Sequence, residues 1–356
     1  MSYKSKFHIL EKIRLASSLS VEEYVKLYDP TLIHELGAIA NEIAISKHGE
    51  IAYYVLNRHI NPTNLCVNRC KFCAFSRSKG QAGAFELTIE EIIDKLTSSQ
   101  IPFTELHIVG GLHPDWKFEH YLNIIKVVRL HFPNIAIKAY SAVEIDYMSK
   151  IAGMDIDHVI KSLKDAGLDM LPGGGAEIFE SKVRDKLCPE KISGERWLYI
   201  MQRAHINGIL SNATMLYGHI ENYIDRVNHM LKIRELQDKT GGFQAFIPLS
   251  YQPINTEIGG KWTSGIDDLL NIAISRIILD NVPHIKAYWI MLGEKISQTA
   301  LLFGADDLDG TIIEEKISHS AGASSSQSMT EDDLQWLIKK AGKKPVQRDG
   351  FYRIVE

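Results

Sequence analysis

Asn64-Leu-Cys-Val-Asn-Arg-Cys-Lys-Phe-Cys-Ala-Phe-Ser76 follows a β-rich run from Tyr53 to Ile60 and a break at Asn61-Pro62, so a cysteine loop leaves directly from a strand end. Cys66, Cys70 and Cys73 are close enough for one loop to turn three thiolates toward a common point. Spacings of three and then two intervening residues suit an iron–sulfur cube better than the paired knuckles of zinc sites. A [4Fe–4S] cluster usually takes four cysteines, and the remaining one, Cys188, lies far along the chain. One iron is therefore expected to lack a protein ligand and to be open to a small molecule. A zinc site completed by one of the 14 histidines is the competing reading. Unrelated core thiols sit badly with Asn64, Asn68, Arg69 and Lys71 among them. A disulfide framework fails on cysteine count and chain length.

Around this loop, strand and helix patterns alternate. Strands are expected at 53–60, 105–109, 135–141, 169–177, 211–217, 243–249, 284–291 and 305–310. Helices are expected between them, at 88–98 behind the capping box Thr88-x-x-Glu91, at 119–131, 157–166, 195–207, 222–237 and 267–280, and from 294. Eight such units argue for an α/β fold, a (β/α)8 TIM-type barrel spanning residues 50–323. Residues 1–49 read as an N-terminal helical cap, with Leu32, Leu36, Ile39 and Ile43 on one face. Residues 324–356 read as a C-terminal helical extension: a mobile loop at Ser324 to Ser328, a helix capped by Thr330, and an arm or strand from Phe351 to Val355.

A chain of 356 residues, 45% hydrophobic and 24% charged with net charge -4, can bury a sizeable core. Its mild acidity and scattered basic residues argue against nucleic-acid binding. The N-terminus lacks an apolar h-region, and no window approaches the roughly eighteen apolar residues of a membrane span. No membrane association is expected, and a cytoplasmic location keeps the thiols reduced and available to iron.

In such barrels functional groups gather at the C-terminal ends of the strands. The unusual residues fall there: the cysteines, Gly110-Gly111, Glu144, Gly173 to Gly175 with Glu177, then Asn212, Thr214 and His219, and finally Asp306, Asp307 and Asp309. Each has a plainer reading. Gly110-Gly111 can be a tight turn, and Gly173 to Gly175 lack the Lys-Ser/Thr of a phosphate loop. The aspartates can cap a helix, Glu177 and Arg77 can be solvated, and His219 can be a hydrogen-bonded loop residue. Cys188-Pro189 can be a half-buried thiol before a helix break.

The Cys-x3-Cys-x-aromatic-Cys loop resembles that of the radical S-adenosyl-L-methionine (SAM) enzymes. The resemblance implies that SAM chelates the open iron and that an electron, delivered by a small redox protein, splits it to a 5′-deoxyadenosyl radical. It places Phe72 near the adenine and the Gly110-Gly111 backbone at the methionyl amino group. Leu112 stands where a glutamate is usual, so only backbone contacts carry over. Glu144, Glu177 and Asn212 are the candidates for the ribose and methionyl carboxylate.

Within the superfamily the chain is similar to the aminodeoxyfutalosine synthases of the futalosine route to menaquinone. The similarity rests on His107-Ile-Val-Gly-Gly-Leu-His-Pro-Asp115, Lys138-Ala-Tyr-Ser-Ala-Val-Glu-Ile145, Leu171-Pro-Gly-Gly-Gly-Ala-Glu-Ile-Phe179, Cys188-Pro-Glu-Lys-Ile-Ser-Gly-Glu-Arg-Trp197, Asn212-Ala-Thr-Met-Leu-Tyr-Gly-His-Ile-Glu221 and His284-Ile-Lys-Ala-Tyr-Trp289. It implies radical addition to the double bond of 3-[(1-carboxyvinyl)oxy]benzoate, aryl migration and loss of bicarbonate, with SAM consumed. Two substrate carboxylates want cationic and N–H donors, for which Arg77, Thr214, His219 and Lys286 are candidates. The alternatives are the hydrogen-abstracting cyclic dehypoxanthinyl futalosine synthase of the same route and, more remotely, a non-catalytic metal or redox-sensing protein.

Overall fold

The computed structural model describes residues 3–15, 19–98, 101–313 and 315–355. Its strands are β1 (Ile51–Val55), β2 (Asn57–Ile60), β3 (Glu105–Ile108), β4 (Ala136–Ala139), β5 (Met170–Leu171), β6 (Leu210–Tyr217), β7 (Phe243–Ser250), β8 (His284–Ile285), β9 (Asp307–Gly310) and β10 (Lys344–Arg348). β2 to β8 form one seven-stranded parallel sheet in sequence order, as strands joined by right-handed helical crossovers do. β9 fills the eighth position through single contacts. Parallel bridges join Lys286 to Asp307 and Arg58 to Ile313. Backbone bonds from Ala287 N to Asp307 O (2.8 Å) and from His59 N to Ile313 O (3.0 Å) carry the ring from β8 through β9 and its exit to β2. The expected eight-position α/β barrel is therefore present, with seven positions in continuous ladder.

Several local expectations change. The run 53–60 divides at Leu56, whose carbonyl accepts from Thr104 N (2.8 Å), so β1 departs to a small sheet ordered β10-β1-β9. The run 284–291 is strand only over two residues. Beyond it Trp289–Leu292 is a helical turn, with the Trp289 indole N–H donating to Gly310 O (2.9 Å). The strand of the C-terminal extension is Lys344–Arg348, and 351–355 follows it as an arm, because the Asp349 carboxylate accepts from Phe351 N and Arg353 N and bends the chain. The serine-rich loop is tied down as well: Ser325 Oγ donates to Ile290 O and Ser326 Oγ to Glu294 Oε1.

The N-terminal cap is helical, and its Ile33–His48 helix packs on Gly265–Ile278. Leu36, Ile39 and Ala40 are buried there, and the Phe303 ring lies 2.6 Å from where a Cβ on Gly37 would stand. A larger residue at that position would have to displace the Phe303 ring. Among the described residues no helix is long and apolar enough to cross a membrane.

Asn57 fastens the ring where its ladder is thinnest. It is 1% exposed, its Nδ2 donates to Asp309 Oδ1 (3.1 Å) and its Oδ1 accepts from Ile312 N (2.8 Å). Asn57→Ala strands both partners in the interior and is expected to lower unfolding free energy by about 2–3 kcal/mol, read by chemical denaturation.

Candidate functional site

A cavity of about 320 Å³ opens at the C-terminal ends of the strands and is lined by residues from β2 round to the β9 exit. Cys66, Cys70 and Cys73 all face it. Their loop is bound to the barrel by its own backbone: Cys66 N donates to Arg77 O (3.1 Å), Val67 N to Leu112 O (3.0 Å) and Lys71 N to Leu187 O (2.8 Å). It also lies directly on the turn after β3. A Cβ on Gly111 would stand 2.2 Å from Leu65 O, and one on Gly110 2.9 Å from Thr63 O, so these glycines permit the close approach of two backbones.

Burial raises the Cys66 thiol and pushes that of Cys70 up to about 12, so these two thiols stay protonated until a metal takes the thiolate. Three thiols on one cavity, at spacings of three and then two residues, fit the ligand set of an iron–sulfur cluster. Cys188 is fully buried and does not line the cavity, although its neighbour Leu187 supports the loop.

Around the cysteines, Glu144 opens the helix after β4. Its Oε2 accepts from Ser141 N (2.7 Å) and Ser141 Oγ (2.8 Å), and its Oε1 from Gly110 N (3.3 Å). Burial outweighs these bonds and raises its carboxyl to about 7. Gly111 N is spent on Thr63 O, and the carbonyls of the glycine turn are the acceptors it can offer an amino group. Glu177 sits at φ 47°, a left-handed conformation uncommon for a non-glycine residue, beside Gly175 at φ 85°. Burial would raise the Glu177 carboxyl, but Lys191 at 2.6 Å outweighs it and the net shift is downward. The Lys191 ammonium also lies 4.9 Å from the centre of the Phe72 ring.

Phe72, Gly110, Gly111, Glu144, Glu177, Asn212, Thr214 and Lys286 thus meet at one cavity, as their positions on the strands imply. Thr214 Oγ1 already donates to Gly173 O (2.8 Å), whereas the buried Asn212 Oδ1 has no protein partner. Arg77 and His219 lie outside. Arg77 donates to Ala74 O and Ser76 O and borders a neighbouring groove with Lys316 and His319. His219 is spent on Leu216 O (3.0 Å) and Glu221 in the turn after β6. Residue type and position alone left out Lys138, Lys191, His59 and His107, which also line the cavity. A lysine inside the apolar run 135–141 was the available signal for Lys138; Lys191 gave none, since it reaches the site from the loop after Cys188.

The model of the radical SAM superfamily matches residues 60–233, and that of the CofH/MqnC C-terminal region matches residues 240–356. With the three-thiol loop over the barrel mouth, the chain belongs to the radical SAM superfamily: it is an enzyme of the class that uses a [4Fe–4S] cluster and SAM. Among its relatives, the aminodeoxyfutalosine synthase of Thermus thermophilus is 44% identical over 98% of this chain and 95% of that one. The aminodeoxyfutalosine synthase of Streptomyces coelicolor is 39% identical over 97% and 92%. The 5-amino-6-(D-ribitylamino)uracil–L-tyrosine 4-hydroxyphenyl transferase of Methanococcoides burtonii is 40% identical over 90% and 92%. The crystal structure of methylornithine synthase (PylB) superposes with TM-score 0.74 at 15% identity, covering 95% of this chain and 97% of that one. The hydrogenase maturase HydG from Carboxydothermus hydrogenoformans does so with TM-score 0.76 at 15%, covering 97% and 80%. At such identity these structures speak for the fold alone.

Cys188→Ser is expected to keep full iron and sulfide after anaerobic reconstitution, whereas Cys70→Ser loses the visible chromophore. Gly111→Ala should also lose iron, because its methyl group displaces the loop backbone; iron and sulfide analysis per chain reads all three.

Proposed function

We propose that this enzyme is an aminodeoxyfutalosine synthase. The near full-length 44% identity to a relative of that name carries the reading. The substrate would be 3-[(1-carboxyvinyl)oxy]benzoate and the products 6-amino-6-deoxyfutalosine, bicarbonate and methionine, in the route from chorismate to menaquinone. Bound at the cysteine loop, the cluster and SAM supply a 5′-deoxyadenosyl radical, with an electron from a small redox protein, in the cytoplasm.

The residues of the chain orient and shield. Cys66, Cys70 and Cys73 hold the cluster; Phe72 meets the adenine, and the carbonyls of Gly110 and Gly111 accept from the methionyl amino group. Glu144, Glu177 and Asn212 serve the ribose and the methionyl end, with Lys191 beside Glu177 as the cation for a carboxylate. Lys286 and Thr214, joined by Lys138, meet the substrate from the other side of the cavity. Arg77 and His219 brace the loop and turn that frame it. No general base is needed to begin radical addition, so rate comes from alignment of the double bond and exclusion of water.

Anaerobic incubation with the synthetic enol ether, SAM and reductant is expected to give the adenosylated product and methionine in equal amounts. Free 5′-deoxyadenosine as the stoichiometric product would instead favour the hydrogen-abstracting cyclase, and turnover of tyrosine with a ribitylaminouracil the transferase reading. A pH series tests Glu144. Its carboxyl, raised to about 7, is protonated below that pH and is needed ionised as an acceptor. SAM affinity should therefore rise by up to about tenfold per pH unit below neutrality and level off above it. Glu144→Gln should flatten that profile.

A further inference from the structure

The inner end of the cavity is a layer of paired charges buried in the barrel. Lys138 Nζ donates to Glu105 Oε2 (2.8 Å), and Lys286 Nζ lies 3.5 Å from Asp309 Oδ1. These four residues line the cavity. Beneath them is a third pair that does not: Arg348 Nε donates to Asp307 Oδ2 (2.6 Å), and Arg348 Nη1 lies 3.6 Å from Glu105 Oε2. Arg348 and Asp307 are both fully buried.

The C-terminal arm delivers Arg348. β10 runs parallel to β1 with Arg348 opposite Val55, and the following turn enters the barrel from the end opposite the cysteine loop. Gly350 passes so close to the sheet that a Cβ there would stand 2.4 Å from the Ala136 Cβ and 3.2 Å from Glu105 Oε2. Tyr352 stacks on His284, ring centres 3.7 Å apart, and its ring lies 4.1 Å from the Arg348 guanidinium. Arm and barrel are thus packed as one core, and the guanidinium occupies a fixed place.

The charge count gives that place a consequence. Lys138, Lys286 and Arg348 balance Glu105, Asp307 and Asp309. Without the guanidinium the layer carries an excess negative charge, and both lysines are drawn to the carboxylates. With it, Asp307 has its own partner from below and the layer is neutral, so the two ammonium groups on the cavity wall, each with further N–H donors, can meet an anion from above. Burial would raise the Glu105 carboxyl, but Lys138, Lys286 and Arg348 outweigh it and hold it well below the usual range.

We propose that Arg348 is a positioning residue for substrate: from the base of the barrel it supplies the cation that pairs Asp307 and brings the buried layer to neutrality, so that Lys138 and Lys286 keep N–H donors for a carboxylate of the substrate. This rests on the reading of the cavity as the site of an anionic aryl enol ether, and adds the arm to that site.

The test uses full-length reconstituted wild type, Arg348→Met, Arg348→Lys and the charge-balanced double variant Arg348→Met/Asp307→Asn. Two quantities are read: kinetics with the enol ether, and calorimetric binding of the unreactive dicarboxylate 3-(carboxymethoxy)benzoate. Arg348→Met is expected to raise the enol ether KM and the probe Kd by about tenfold or more, as loss of a charge-assisted contact does. Its SAM KM should stay within about twofold of wild type, and more 5′-deoxyadenosine should be released per product. Arg348→Lys and the double variant should recover most of the loss. Unchanged enol ether KM and probe Kd in Arg348→Met, or equal losses toward SAM and enol ether together with lost iron, overturn the proposal. If Arg348→Met does not fold, the double variant decides: affinity near wild type supports the charge argument, and affinity as poor as an uncompensated layer would give overturns it. A wild type that neither turns over the enol ether nor binds the probe overturns the functional reading and this proposal with it. Normal wild-type turnover with an indifferent Arg348 overturns this proposal alone.

Discussion

Two stretches of backbone meet without room for a side chain between them, where Leu65 and Thr63 cross the Gly110-Gly111 turn. This contact fixes the height of the cysteine loop above the barrel and therefore the direction of its three thiols. Hydrogen bonds from Val67 to Leu112 and from Lys71 to Leu187 hold the loop at its other points. A loop so constrained presents a ready-made ligand set, which lowers the entropy lost when metal binds. The same turn, through Gly110 N, also reaches Glu144 and joins the cluster side of the cavity to the helix after β4.

The rest of the site shows how a barrel combines surfaces of different character. Near the loop stand an aromatic ring, an ion pair and backbone carbonyls. At the far end lies a nearly closed layer of lysines and carboxylates, sealed by an arm from the chain's end. Burying that many charges is costly unless every one is compensated. The compensation runs through residues distant in sequence, from Glu105 to Arg348, so the substrate end of the cavity depends on the whole barrel being closed.

Much of this was legible in the chain. The period of strands and helices and the Thr88 capping box are local features, and each stands where its local chemistry puts it. The cysteine spacing is equally local. What could not be read was set by long-range contacts. The split at Leu56 depends on Thr104 and the helical turn at Trp289 on Gly310; the exclusion of Arg77 and His219 was missed for another reason, since nearby carbonyls absorb their donors. Lys191 and Lys138 escaped for a related reason: a lysine reads as solvated until a buried carboxylate partner, Glu177 or Glu105, is seen opposite it.

The proposed chemistry depends most on an iron that three cysteines leave free to bind SAM. Electron–nuclear double resonance on the reduced, reconstituted enzyme, with SAM labelled isotopically at its amino nitrogen and carboxylate oxygens, addresses that directly. Hyperfine coupling from both labelled groups at a single iron is the expected result. A cluster spectrum indifferent to the labels, or one that loses an iron ligand when Cys188 is replaced, would contradict the account.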